Sequence, residues 1–157
     1  SKQEVKDENK QTEGSPELKA AVRRRQHEVL KGSARQAVAE ATVVLVNPTH
    51  FAVALRYRPG LDAAPVVVAR GRGATAAAIR ELADEGAVPV LRYPQLARAI
   101  YFTARTGQVI REDLYLAVAT VIAFVFNLDA AIPETVVPPE VEVPPDARFD
   151  EDGRKIP

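Results

Sequence analysis

Cysteine, methionine and tryptophan are all absent from this 157-residue sequence. Without cysteine there is no disulfide framework, no thiolate metal site and no cysteine nucleophile. Histidine occurs only at His27 and His50, too few soft ligands for a convincing zinc site, so neither a metal nor a cofactor is expected. Without methionine, the chain has either lost its initiator or is a domain cut from a longer protein. Residues 1–20 are polar and lack the apolar stretch of a signal peptide. The longest apolar run, residues 114–126, has 13 residues counting Thr120. A membrane span needs about 20, so this run reads as a buried helix in a soluble chain.

Charge of one sign is also lacking overall, with 21 basic against 21 acidic residues. The balance is uneven along the chain: nine against seven over residues 1–40, nine against five over 41–112, and three against nine over 113–157. A basic middle joined to an acidic end lacks the sustained basic excess of a nucleic-acid binder. What is plentiful is Ala (26) and Val (21), so the core is built from small side chains. The length suits one ordinary domain.

Residues 1–15 carry a single aliphatic residue, Val5, and read as a linker or frayed helix. Ser15-Pro16-Glu17 supplies an N-cap, a first-turn proline and a first-turn acid, and predicts a helix through Ala39, either continuous or broken at Gly32-Ser33. Its apolar stripe is thin, so much of it is expected to be exposed. Strands are predicted over 42–46, 51–57, 65–69 and 88–91, and helices over 74–85, 94–103 and 112–128. Within the last helix Leu114, Val118, Val121, Ile122, Val125 and Leu128 form the core face, while Phe124 and Phe126 point elsewhere, either to cover a second contact or to receive a partner. From Pro133 onward five prolines fall within 13 residues, which predicts an extended, mobile tail. The expected fold is α/β: a small central sheet of about four strands surrounded by helices, with an N-terminal helical arm. Its parts are a linker and arm over 1–40, an α/β domain over 41–130 and a disordered Pro/Glu-rich tail over 131–157.

Asn47-Pro48, in the tetrapeptide Asn47-Pro48-Thr49-His50 between two predicted strands, is the most informative pair. Asparagine usually deamidates when the following backbone N–H attacks its side-chain carbonyl, and proline has no N–H, so that route is closed. The reverse attack remains open: the Asn47 side-chain nitrogen can attack its own backbone carbonyl, forming a succinimide and breaking the bond to Pro48. A tight turn brings the two atoms together, backbone donors can hold the oxyanion, and His50 can shuttle a proton. The dipeptide alone also reads as an ordinary turn.

The wider segment, residues 43–57 (VVLVNPTHFAVALRY), resembles the signature of the FlhB/YscU family, the specificity-switch proteins of flagellar and injectisome type III export. Ala64-Pro65-Val66-Val67-Val68-Ala69-Arg70-Gly71 is similar to the family's strand ending in a basic residue and glycine. Residues 78–83 with 88–91, and Pro94-Gln95-Leu96-Ala97-Arg98-Ala99-Ile100-Tyr101, resemble its next helix, strand and helix. Residues 1–8 are similar to the stretch after the last transmembrane helix of flagellar members, so the resemblance covers about residues 1–130. Phe51 stands where Tyr is common, Arg70 where Lys is common, and the tail is long.

The resemblance implies a membrane-embedded parent whose soluble part lies at the cytoplasmic face of the bacterial inner membrane. It implies self-cleavage between Asn47 and Pro48, with both pieces remaining in one folded unit. It implies a single event rather than turnover, and a change of export specificity from rod- and hook-type to filament-type substrates. The implied partners are other export gate components, a hook-length control protein, export substrates and chaperones, and no nucleic acid. Asn47 would be the internal nucleophile, Pro48 the leaving nitrogen, and Thr49 and His50 would shape the turn.

Two other readings stay open. One is a docking module that never cleaves and holds export substrates or chaperones on its basic strand ends. The other is a nucleotide-binding protein using Arg70-Gly71-Arg72-Gly73-Ala74-Thr75, a glycine turn between strand and helix that lacks the full glycine spacing and the Lys-Ser/Thr ending of a phosphate loop. Arg23-Arg24-Arg25 suits either a solvated helix face or contact with an anionic membrane surface. His27, on the same arm, has no partner in the sequence and is given no role.

Overall fold

A computed structural model describes residues 15–48, 50–128 and 136–157. Helix α1 (Pro16–Ala39) leads into a four-stranded sheet formed by β1 (Val43–Asn47), β2 (Phe51–Arg56), β3 (Val66–Arg72) and β4 (Val90–Arg92). Helix α2 (Ala74–Glu85) joins β3 to β4. Helix α3 (Pro94–Thr103), a 3₁₀ turn (Glu112–Leu114) and helix α4 (Tyr115–Asn127) follow. The strand order is β3-β2-β1-β4, with β1 antiparallel to β2, β2 antiparallel to β3, and β1 parallel to β4.

Every residue of β1 is buried because the sheet is covered on both faces. Val43 and Leu45 join Val53, Leu55 and Val67 in one core with α3 and α4. Val44 and Val46 join Ala52, Ala54 and Ala69 in a second core with α1 and α2. The period-2 alternation of strand side chains thus splits one apolar run between two layers. The small alanines of β2 and β3 lie under α2, which is also alanine-rich on its buried face (Ala76, Ala78, Ala83).

Three features differ from the sequence expectations or decide between them. Strand β3 continues three residues beyond Ala69, because Arg70, Gly71 and Arg72 pair with Val53, Ala52 and Phe51. Gly71 is required there: a Cβ would lie 2.3 Å from Thr75 Cγ2, so only glycine lets the first turn of α2 pack this close. Helix α1 runs unbroken through Gly32-Ser33, with Ser33 Oγ donating to the Leu30 carbonyl at 3.0 Å. Its dock on α2 is largely polar. His27 meets Glu81 at 2.7 Å, so the histidine given no role has a partner 54 residues away. Lys31 meets Glu85 at 2.6 Å, and these bonds hold both carboxyls below their ordinary pKa.

The tail differs most. Residues 136–157 are extended over much of their length but are not loose: Val143, Ala147 and Phe149 are buried, the first two in the core shared with α3 and α4. Prolines suit this route because they need no partner for a backbone N–H. The remaining backbone is held by side chains, with Arg148 Nε donating to the Val143 carbonyl at 2.7 Å and Tyr93 Oη to that of Pro139. Residues 131–135, for which disorder was also expected, lie outside the described residues, as do 129 and 130 at the end of the expected α/β domain.

Candidate functional site

Asn47 ends β1 and Phe51 begins β2; the two are cross-strand partners, and the segment between them is the head of the central hairpin. Thr49 lies outside the described residues. Asn47 is 7% exposed, the one buried polar residue among the described residues. Its side-chain Nδ2 is buried and has no hydrogen-bond partner among the described residues. An amide so placed carries a desolvation cost of about 1–3 kcal/mol. Its nitrogen is tied to no acceptor among the described residues and sits in the side chain of the residue whose carbonyl leads to Pro48.

That carbonyl is engaged: the His50 backbone N–H donates to the Asn47 oxygen at 3.0 Å, within the range of an oxyanion-stabilising donor. The His50 carbonyl in turn accepts from the Gly73 N–H at 3.0 Å. Gly73 has φ +59°, a left-handed conformation that turns β3 into α2 while aiming its N–H at the hairpin head. On the other side of β1, the Tyr93 N–H donates to the Val46 carbonyl at 3.1 Å. The head of the hairpin is therefore braced from both neighbouring crossovers. The His50 side chain is half exposed, with Nδ1 3.4 Å from Glu151 Oε1 in the tail.

The glycine turn at 71–73 serves this bracing. Gly73, whose N–H a phosphate site would need, already donates to His50. The basic strand ends are also used internally. Arg70 donates to the Tyr101 carbonyl and lies 4.5 Å over its ring, Arg72 lies 5.3 Å over Phe51, and Arg56 pairs with Asp62 at 3.1 Å. Hydrogen bonds from Arg58 and then Arg56 hold the Asp62 carboxyl well below the usual carboxylate range.

Of the residues named from sequence for the site, Asn47, Pro48 and His50 lie together at this hairpin head, whereas Gly73 and Glu151, which meet it there, were not named for it because their contacts join positions far apart in the chain. Phe124 is half-buried, whereas Phe126 is 48% exposed and borders a groove of about 320 Å³ with Tyr57, Pro65, Tyr115 and Ile122. Arg23, Arg24 and Arg25 are exposed on α1. Among the described residues no helix is long and apolar enough to cross a membrane.

A long helix feeding a mixed four-stranded sheet, with an Asn-Pro turn closing its two middle strands, is an arrangement this chain shares with solved domains of type III export proteins. The sequence model of the FlhB HrpN YscU SpaS Family matches residues 1–125, and the chain belongs to that family. It is 47% identical over 125 residues to the flagellar biosynthetic protein FlhB of Aquifex aeolicus, covering 80% of this chain and 36% of that protein. With the protein of the same name from Escherichia coli it shares 44% over 128 residues, covering 82% and 34%. The chain thus spans about a third of the length of these relatives. The crystal structure of the cytoplasmic domain of FlhB from Shewanella putrefaciens is similar at a TM-score of 0.67 and 36% identity, covering 76% of this chain and 95% of that one. A mutated EscU C-terminal domain is similar at 0.60 and 36%, covering 62% and 98%.

Proposed function

We propose that this chain is the cytoplasmic part of a flagellar type III export apparatus component that cuts its own backbone between Asn47 and Pro48. Asn47 Nδ2 attacks the Asn47 carbonyl carbon, forming a five-membered ring and a tetrahedral oxyanion. The His50 N–H, already 3.0 Å from that oxygen, stabilises the charge as it develops. The carbon–nitrogen bond to Pro48 then breaks. The proton lost by Nδ2 ends on the Pro48 nitrogen, which leaves as a secondary amine. Water later opens the succinimide at the new C-terminus. Pro48, lacking an N–H, closes the competing deamidation route. Thr49 and His50 would shape the turn, and the half-exposed His50 imidazole is the candidate proton relay.

The observation that carries this reading is the buried Asn47 Nδ2 without a partner among the described residues. Inside the parent protein, the event changes export specificity from rod- and hook-type to filament-type substrates. The partners are other export gate components, a hook-length control protein, export substrates and chaperones, at the cytoplasmic face of the inner membrane. The test is denaturing intact-mass spectrometry on freshly purified chain. Splitting 17.0 kDa in the ratio 47 to 110 residues gives pieces of about 5 and 12 kDa, the larger beginning at Pro48. A lasting 17.0 kDa species would overturn the reading. It would leave the docking module, for which the apolar groove beside Phe126 is the supporting feature.

A further inference from the structure

The last part of the tail is seated against the hairpin head. Phe149 packs on Phe102 with ring centroids 5.6 Å apart, and Phe102 packs on Phe51, the first residue of β2, also at 5.6 Å. Tyr101 completes the cluster, 4.9 Å from Phe51. Arg98 Nε donates to the Phe149 carbonyl at 2.7 Å, a clamp on backbone rather than side chain. Two residues on, the Glu151 carboxylate reaches His50. The segment closes into a small hairpin, with the Asp150 N–H donating to Arg154 at 2.9 Å and the Ile156 N–H to Arg148 at 3.0 Å. Its turn presses so closely on the aromatic cluster that a Cβ on Gly153, at φ +84°, would lie 2.8 Å from the Phe102 ring.

We propose that this aromatic face is a peptide-docking site, with the chain's own residues 148–156 as its resident occupant. It takes a short segment in which an aromatic residue is followed two positions later by an acid. Phe102, backed by Phe51 and Tyr101, forms the floor of the slot, Arg98 the backbone clamp, and His50 the contact for the acid. Charge supports the pairing, since the occupant comes from the acidic stretch (three basic against nine acidic residues over 113–157) and the slot from the basic one (nine against five over 41–112). The occupant is covalently joined through residues 136–144, where the Pro139 carbonyl and the Val143 side chain are themselves held against the domain, so a free partner competes with an intramolecular segment already close to the slot. A partner carrying the same pattern docks only when the tail leaves, and it then lies against the residues flanking the Asn47-Pro48 turn. The inference does not depend on scission of that bond.

The test uses the full chain and a fluorescein-labelled peptide of residues 144–157, followed by fluorescence anisotropy, with amide hydrogen exchange read in parallel. Gly153→Ala, which acts on the tail's turn and leaves the slot intact, should release the hairpin. Exchange at Asp150 and Ile156 should then rise at least tenfold, and the peptide should bind the variant at least tenfold tighter than the unaltered chain. Phe149→Ala in the full chain should give the same pair of results, and Phe149→Ala in the peptide should abolish its binding. Equal binding to altered and unaltered chains, or binding to none, overturns the proposal. So does exchange in the unaltered hairpin as fast as in the free peptide.

Discussion

The Gly73 backbone N–H lies 3.0 Å from the His50 carbonyl oxygen, so the start of helix α2 is bonded directly to the turn that follows Asn47. Through His50 the link continues to the Asn47 carbonyl, also at 3.0 Å. Two hydrogen bonds in series thus couple a helix terminus to the carbonyl proposed as the electrophile. The geometry of that turn depends on how closely β3 and α2 approach, and Gly71 sets that distance.

Asn47→Ala removes the proposed nucleophile and should leave a single 17.0 kDa species by denaturing mass spectrometry. The substitution also deletes a buried amide nitrogen with no partner among the described residues. Its stability in urea should therefore equal that of the uncut parent or exceed it by up to about 1 kcal/mol. A variant that still splits at 47–48 would exclude cyclisation.

Gly71→Ala and Gly32→Ala should act in opposite directions. At Gly71 the new methyl would meet Thr75 Cγ2 at 2.3 Å in a rigid layer, costing about 1–3 kcal/mol. At Gly32 nothing lies within 4 Å and the residue is inside α1, so alanine should add about 0.5–1 kcal/mol to helix stability. Urea midpoints for the two variants measure both.

Asp62→Asn should reduce the acid sensitivity of the fold. The Asp62 carboxyl is depressed by Arg58 and Arg56, so the folded state binds a proton less readily than the unfolded chain. Its contribution is complete above the ordinary carboxylate pKa of about 4 and is lost as pH falls below it, through the depressed folded value. Urea titrations from pH 7 to pH 3 should show a shallower loss of stability for the asparagine variant, together with a lower midpoint at neutral pH.

The central hairpin was legible because its two strands are apolar runs on either side of a tetrapeptide whose chemistry is local. Helices α2 and α3 were equally plain, the first ending at Gly86 and the second opening on Pro94. Less legible was β3 beyond Ala69. Arginine and glycine are poor strand signals, and their place in the ladder comes from β2. The tail misled for a related reason. Composition reports whether a segment can fold alone, whereas Val143, Ala147 and Phe149 are buried by surfaces formed from α3 and α4. His27 and Glu81 could not be matched from sequence because the pairing depends on how α1 lies across α2.

Strand β1 is bonded to β2 along one edge and to β4 along the other, and a pull applied through α1 would enter it at Val43. Pulled along its own axis, such a strand loads its rungs together in shear instead of opening them one at a time. If the bond after Asn47 is cut, the covalent anchor at the far end is gone and the grip on the first 47 residues is non-covalent. The domain would then resist slow thermal fraying yet yield to a sustained axial force, a mechanical fuse whose rating is set by two short ladders.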